Sequence, residues 1–263
     1  MRLVFDPHVH IYPCYNLGRF FNATLGNLGR ASRRLFPKHD VVFALCLTER
    51  RDCFYFDKLA SGELTAPGFT ITTLNEKNVV LVKSDSGRDF FLFAGRQIVT
   101  AERLEILSLL SNVYHKDGKD MPSTIKDIQT NGGVPILNWA PGKWMFKRKK
   151  IVAALFNTMS PGELVIGDTS LRPQSLPMTG LMKKFKDRRF QFIYGSDPLP
   201  FPEEETRAGT YISYFANGFN EQFPEASLRT LLTQTVTAVS PYGSRSSLVD
   251  VVRRLRKNQK VRL

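Results

Sequence analysis

Short apolar runs that stop on a polar residue recur along this chain, and most are followed by residues at helical spacing. Arg2 to Asp6 is such a run, with His8 and His10 directly after it. From Tyr15 to Phe36 the residues Leu17, Phe20, Phe21, Leu25, Leu28, Ala31 and Leu35 recur at steps of three and four, which predicts an amphipathic helix closed by Pro37. Asp40 to Leu47 is apolar without alternation, as in a strand buried on both faces, and Thr48-Glu49-Arg50 follows it. The unit returns later. Met121 to Asn131 reads as a helix stopped by Gly132-Gly133, and Val134 to Leu137 is a strand running into Asn138-Trp139. A helix is expected over 150–159, a strand from Glu163 to Asp168, a basic helix from Gly180 to Asp187, and a strand from Phe190 to Asp197. Helices over 224–238 and 246–257 complete the pattern.

One stretch departs from this order. Between Phe69 and Ala94 the runs FTITTL, NVVLV and DFFLFA are separated only by polar turns, which predicts a small antiparallel meander over 69–94. The stretch from Gln97 to Ser111 reads as two strands, or as one strand and part of a helix. Alternating strands and helices with polar residues at strand ends predict a TIM-like (β/α) barrel, complete or distorted, carrying the meander as an insertion. A doubly wound open sheet is the alternative. At 263 residues and 42% apolar content, 1–263 is expected to form a single domain around one large core.

Other classes are set aside on composition. No apolar run approaches the roughly 18 residues of a membrane-spanning helix, and the N-terminal residues lack a signal peptide's apolar stretch, so a cytoplasmic protein without membrane contact is expected. Cys14, Cys46 and Cys53 have neither metal-type spacing nor the even, dense pattern of a disulfide framework. The charge is strongly positive: 37 Lys and Arg against 24 Asp and Glu give +13, which suggests a polyanionic partner or an anionic substrate.

The sharpest motif is Asp6-Pro7-His8-Val9-His10. Two imidazoles at i and i+2 on an extended segment point the same way, as two ligands of one metal ion must. Only four histidines occur in the chain, so this pairing at a strand end carries weight against two unconnected turn histidines. In Tyr194-Gly-Ser-Asp-Pro-Leu-Pro200, Asp197 follows an apolar strand and is placed to complete a metal site or accept a proton, though an Asp before Pro also suits a plain turn. Asp168, in Ile166-Gly-Asp-Thr-Ser-Leu-Arg-Pro173, has the same local setting and is a second candidate catalytic carboxylate.

A His-x-His after the first strand and the Gly-Ser-Asp-Pro near the last together resemble the amidohydrolase superfamily and its neighbours, the PHP-type phosphoesterases. These are metal-dependent hydrolases on complete or distorted (β/α) barrels. The resemblance implies His8, His10 and Asp197 as ligands of one or two divalent ions, with Zn, Mn, Fe and Ni all admissible, and Asp197 as general base. The amidohydrolase pattern also has histidines from middle strands. Here His39 precedes a strand and His115 lies in a polar loop, so a carboxylate-rich site using Glu49, Glu105 or Asp168 is expected, or one that has lost its metal.

Three further residues are candidates for substrate contact. Trp139 and Lys143 lie in Asn138-Trp-Ala-Pro-Gly-Lys-Trp144, a turn that places an ammonium beside an aromatic wall. Arg172 is a candidate anion clamp, or else a partner for Asp168. The basic residues cluster, with five in 143–150, five in 183–189 and six in the last eleven positions, and these read as solvated helix faces or a tail. No zinc-finger, RRM, KH or helix-turn-helix signature accompanies them. The main expectation is therefore a hydrolase cleaving an amide, ester or phosphoester of an anionic small molecule with metal-activated water. The alternatives are a PHP-like phosphoesterase acting on nucleotide or nucleic acid, and a non-catalytic basic binding protein.

Overall fold

A computed structural model describes residues 1–234, 237 and 239–261. In chain order the first strands are β1 (Arg2–Val9), β2 (Val41–Leu47), β3 (Phe69–Thr73), β4 (Val79–Ser84), β5 (Phe90–Phe93) and β6 (Gly95–Val99). They are followed by β7 (Glu105–Leu109), β8 (Val134–Asn138), β9 (Val165–Thr169), β10 (Phe192–Gly195), β11 (Tyr211–Phe215) and β12 (Ser240–Gly243). The α-helices are α1 (Leu17–Leu35), α2 (Tyr55–Ala60), α3 (Met121–Thr130), α4 (Lys147–Thr158), α5 (Gly180–Asp187), α6 (Pro224–Thr233) and α7 (Leu248–Val261). The helix expected over 224–238 ends at Thr233, and positions 235, 236 and 238 lie outside the described residues.

Among the described residues the strands form two mixed sheets, one of seven strands in the order β12-β11-β1-β2-β5-β4-β3 and one of five in the order β10-β9-β8-β7-β6. The fold is α/β, and the TIM barrel expected from the sequence is not formed. A (β/α) barrel needs parallel neighbours throughout, each pair joined by a crossover helix. Here β1–β2, β2–β5, β8–β9 and β9–β10 are parallel, whereas β11 enters antiparallel to β1 and β6–β7–β8 pair antiparallel. The cause is the helix-free stretch from 69 to 109. With no crossover available, the chain can only make hairpins there. Its first part turns back as β3–β4–β5, and β5 joins β2, so these strands extend the large sheet instead of standing apart as an insertion.

The core is layered, and strand parity explains the layers. On β2, Phe43, Leu45 and Leu47 pack beneath α1 with Phe20, Phe21 and Leu28, while Val42, Ala44 and Cys46 face the other sheet with Phe93, Leu107 and Ile136. Burial on both faces is why that run shows no alternation. The outer face of the second sheet packs with α3, α4 and α5 through Ile106, Leu137, Ile166, Ile125, Val152 and Phe185. The three cysteines are unbonded, so packing holds the fold.

The two sheets touch at two seams without a continuous ladder. At one, Glu49 after β2 bridges Arg96 on β6. At the other, the Asp197 amide after β10 donates to the carbonyl of His8 on β1, at 3.0 Å. Both seams need glycine for close approach. A Cβ on Gly95 would lie 2.3 Å from the Leu47 carbonyl oxygen, and one on Gly195 would lie 2.5 Å from the Cβ of His8. Among the described residues no helix is long and apolar enough to cross a membrane.

Candidate metal centre and its cleft

The two histidines reach one site because β1 is irregular. Asp6 pairs with Leu45 but Val9 pairs with Leu47, so β1 spends one extra residue between these points. Such a bulge inverts the side-chain alternation. Before it, odd residues Leu3 and Phe5 face the other sheet; after it, odd-numbered Val9 joins Val4 under α1. The even residues His8 and His10 are thereby turned toward the region between the sheets.

Asp197 arrives from the far seam. It follows β10 in the left-handed region, at φ 51°, a conformation that costs a non-glycine residue about 1 kcal/mol or more and is held here by surrounding bonds. The neighbouring Ser196 is fixed by Asp6, whose Oδ1 accepts from the Ser196 amide at 3.0 Å and whose Oδ2 accepts from the Ser196 hydroxyl. Asp6 also accepts from the Gly209 amide at 2.8 Å and the His8 amide at 3.2 Å. Burial raises its carboxyl to about 6, against the pull of these hydrogen bonds. Asp6 thus joins the strand bearing the histidines to the loop bearing Asp197.

The resulting group is tight. His8 Nε2 and His10 Nε2 lie 3.1 Å apart, and Asp197 Oδ1 lies 3.6 Å from each. All three side chains are buried, and among the described residues this is the group of His, Cys, Asp or Glu arranged to hold a metal ion. A tetrahedral ion with bonds of about 2.0–2.1 Å has donors spaced about 3.3 Å apart, so the three spacings fit one ion. Two imidazole nitrogens at 3.1 Å also call for a cation or a proton between them. Burial lowers the pKa of His8, with Asp197 opposing, which favours the neutral ring that ligation requires. Asp197 is held at about 2: its burial acts to raise it, and His8 and His10 more than offset that. The Nδ1 atoms of both rings are buried without a hydrogen-bond partner, so packing orients them, Tyr12 lying 5.5 Å from His10 between ring centroids.

The group sits at the floor of a cleft of about 300 Å³ lined by His10, Asp197, Tyr12, Arg50, Gln97, Glu105 and Lys143, with Leu255, Asn258 and Gln259 of α7 along one side. A neighbouring groove of about 370 Å³ shares Arg50, Gln97, Glu105 and Lys143 with it and adds Arg51 and Arg103. Four cationic side chains thus line a path to the buried group, with Glu105 and Asp117 as its carboxylates. Glu105 belongs here because β7 runs antiparallel to β8 and pairs Glu105 with Asn138, bringing the start of β7 level with the C-terminal end of β8. Lys143 Nζ lies 3.5 Å from Glu105 Oε1.

The remaining sequence candidates lie elsewhere. Asp168 shares parity with Ile166 on β9 and so faces the helix layer. There Arg172 donates Nε to its Oδ1 at 2.7 Å and Nη2 to its Oδ2 at 2.6 Å, and the Tyr211 hydroxyl donates at 3.3 Å. Neither member of that buried pair reaches the cleft. Trp139 is packed in the outer core layer, and Trp144 donates its indole N–H to the Asn138 carbonyl at 3.1 Å. His39 is exposed, and His115 is half-buried outside the group. Asp6 and Gly195 lie inside the quoted motifs but carry no role in the sequence reading, and the same holds of Tyr12, Arg50, Arg51 and Arg103, which no motif marks.

Glu49 is likewise held outside the group. Its Oε1 accepts from the Tyr55 and Phe56 amides at the start of α2, and its Oε2 lies 3.2 Å from Arg96 Nη1. Burial raises its carboxyl from 4.5 to about 7 against the opposing pull of Arg96 and the two amides. An acid with a raised folded-state pKa contributes stability below its unfolded pKa and loses it as pH rises through the folded one. Relative to Glu49→Gln, the wild type is therefore expected to lose about 3 kcal/mol between pH 4 and pH 8. Urea unfolding of both proteins across that range checks this, and a pH-independent difference would contradict it.

Among solved structures the chain is similar to PsfC from Pseudomonas syringae PB-5123, with a TM-score of 0.60, 15% identity and 99% of each chain covered. It is also similar to the lesion-specific endonuclease PfuEndoQ from Pyrococcus furiosus, with a TM-score of 0.55, 9% identity, and coverage of 96% of this chain and 66% of that one. A third similarity is to Endonuclease Q in complex with a 27-mer duplex substrate with an abasic lesion at the active site, with a TM-score of 0.50, 10% identity, and coverage of 96% and 67%. At these identities the likeness is one of fold, and the chain spans about two thirds of the endonuclease's length. No protein family and no curated protein matches the chain.

Proposed function

We propose that this chain is a metal-dependent phosphoesterase acting on nucleic acid, of the PHP-like kind. The observation that carries this reading is the convergence of His8 Nε2, His10 Nε2 and Asp197 Oδ1 at the floor of a cleft with a cationic approach. The fold shared with a lesion-specific endonuclease, and with Endonuclease Q crystallised on a 27-mer duplex substrate with an abasic lesion, supports the nucleic-acid alternative over an anionic small molecule. The missing middle-strand histidines weigh against the amidohydrolase half of the resemblance.

In this reading His8, His10 and Asp197 hold a divalent ion, which when bound supplies Lewis acidity and lowers the pKa of a water. Arg50 and Lys143 bind the phosphate at the cleft, and Arg51 and Arg103 bind its neighbours along the groove. Glu105, the cleft carboxylate left outside the three ligands, accepts the proton of the attacking water and returns it to the sugar oxygen that leaves as the P–O bond breaks. Tyr12 and the α7 residues Leu255 and Asn258 narrow the cleft and limit its water.

The test is a cleavage assay on end-labelled single-stranded and duplex oligonucleotides, with and without an abasic position, after loading with Mn²⁺, Zn²⁺, Fe²⁺ or Ni²⁺. Cleavage is expected with at least one ion and is expected to be abolished by chelation. A protein that takes up no ion and cleaves no oligonucleotide would overturn the proposal; ion-free binding of DNA would favour the non-catalytic alternative.

A further inference from the structure

We propose that Arg254 is a positioning residue for Asp197, so that the ion affinity of the site depends on the C-terminal helix α7 being docked. The inference rests on the metal reading above and concerns how that site is held.

The sequence gives no hint of this residue, which sits among the basic positions at the end of the chain. Among the described residues it is the largest fully buried side chain. Its guanidinium gathers three segments. Nε donates to Glu204 Oε1 and Oε2 at 3.0 and 3.1 Å, and Nη2 donates to Glu204 Oε2 at 2.6 Å. Nη1 donates to the hydroxyls of Ser170 and Ser246 at 3.1 and 3.0 Å. Nη2 also donates to the backbone carbonyl of Asp197, at 3.1 Å.

Glu204 neutralises the charge and takes two of the five N–H groups. Of the three remaining bonds, one reaches the carbonyl of the ligand residue directly and one reaches its loop through Ser170. Ser170, which accepts from Arg254, itself donates to the carbonyl of Ser196. The Asp197 amide is taken by the His8 carbonyl and the Asp197 carbonyl by Arg254, so both backbone groups of the ligand residue are fixed. That residue is in the left-handed region, where loss of one tether allows it to relax toward an ordinary conformation and draw Oδ1 away from the imidazoles. A planar fork with five donors can serve a carboxylate, two hydroxyls and a carbonyl together, which the point charge of a lysine cannot. A second observation ties the same helix face to the site: Asn258, one turn further along α7, lines the cleft with its buried Oδ1 unpartnered.

Co²⁺ serves as probe, titrated into the full chain and followed by its visible absorption, whose intensity and position report the coordination geometry. Arg254→Lys keeps a positive charge beside Glu204 and is expected to bind Co²⁺ about 10- to 100-fold more weakly, with an altered band, while its far-UV circular dichroism matches wild type. Arg254→Gln combined with Glu204→Gln removes the pair without leaving a lone buried charge, and is expected to weaken binding to the same extent if the lysine variant fails to fold. Wild-type affinity and an unchanged band in either folded variant would overturn the positioning role alone. Failure of the wild type to take up Co²⁺ would overturn the metal reading, and this inference with it.

Discussion

Asp197→Ala is expected to lower ion-dependent phosphodiester cleavage by about 10³-fold or more and to remove the stabilisation that added metal gives the wild type. The magnitude follows from what the carboxylate does. It is the only anionic member of a group otherwise made of two imidazoles, and it lies 3.6 Å from both. Without it, two neutral rings with unpartnered Nδ1 atoms remain, a poor site for a hard divalent cation. The fold is expected to survive, because the backbone bonds of residue 197 to His8 and Arg254 do not involve its side chain. Thermal unfolding with and without Mn²⁺, run beside the cleavage assay, separates loss of the ion from loss of the fold. Cleavage within tenfold of wild type would remove Asp197 from the proposed mechanism.

Gly195→Ala is expected to cost about 2–3 kcal/mol, or about 5–10 °C in Tm, although it adds only one methyl group. The new Cβ would stand 2.5 Å from His8 Cβ, 2.9 Å from the His8 amide nitrogen and 3.1 Å from Asp6 Oδ1. Two of these neighbours are backbone or Cβ atoms of β1, which cannot swing aside as the end of a long side chain can. The strand must move instead, and the bonds from Asp6 to Ser196 and from Asp197 to His8 lengthen with it. Metal uptake is therefore expected to fall together with stability. Calorimetry combined with a metal titration measures both, and a Tm within 1–2 °C of wild type would show that the seam yields more easily than its distances imply.

Much of the site was legible in the sequence because it rests on local rules. His8 and His10 share a face through their i, i+2 spacing, and Asp197 ends an apolar run. What that spacing does not disclose is which way the face points, and the one-residue bulge in β1 decides it. Parity also explains the fate of Asp168. Its setting at a strand end matches that of Asp197, yet it lies on β9 in phase with Ile166 and faces the helix layer, whereas Asp197 lies past the end of β10. Glu49 follows β2, and its carboxylate is taken up by the Tyr55 and Phe56 amides at the start of α2, a short helix that the apolar spacing does not reveal. The barrel expectation fails over 69–109, where the meander read over 69–94 and the stretch left open from Gln97 to Ser111 are all strands and lack the helices that parallel closure requires. Arg254 was illegible for a simpler reason: a buried arginine and a solvated one look alike in a basic run.

The span of the chain tied together at the β1–β10 seam bears on biosynthesis. Asp6 and Ser196 are 190 positions apart, and the guanidinium that grips the Asp197 carbonyl comes from a further 57 positions along. A ribosome makes the histidine pair well before Asp197 and makes Arg254 later still, so the nascent chain carries His8 and His10 for that whole interval before their carboxylate partner emerges. Contacts this remote in sequence also form late in folding. A nascent chain that has not yet reached α7 lacks the guanidinium clamp on the Asp197 carbonyl, so in the proposed reading the site takes up its ion tightly only once α7 has been made and docked.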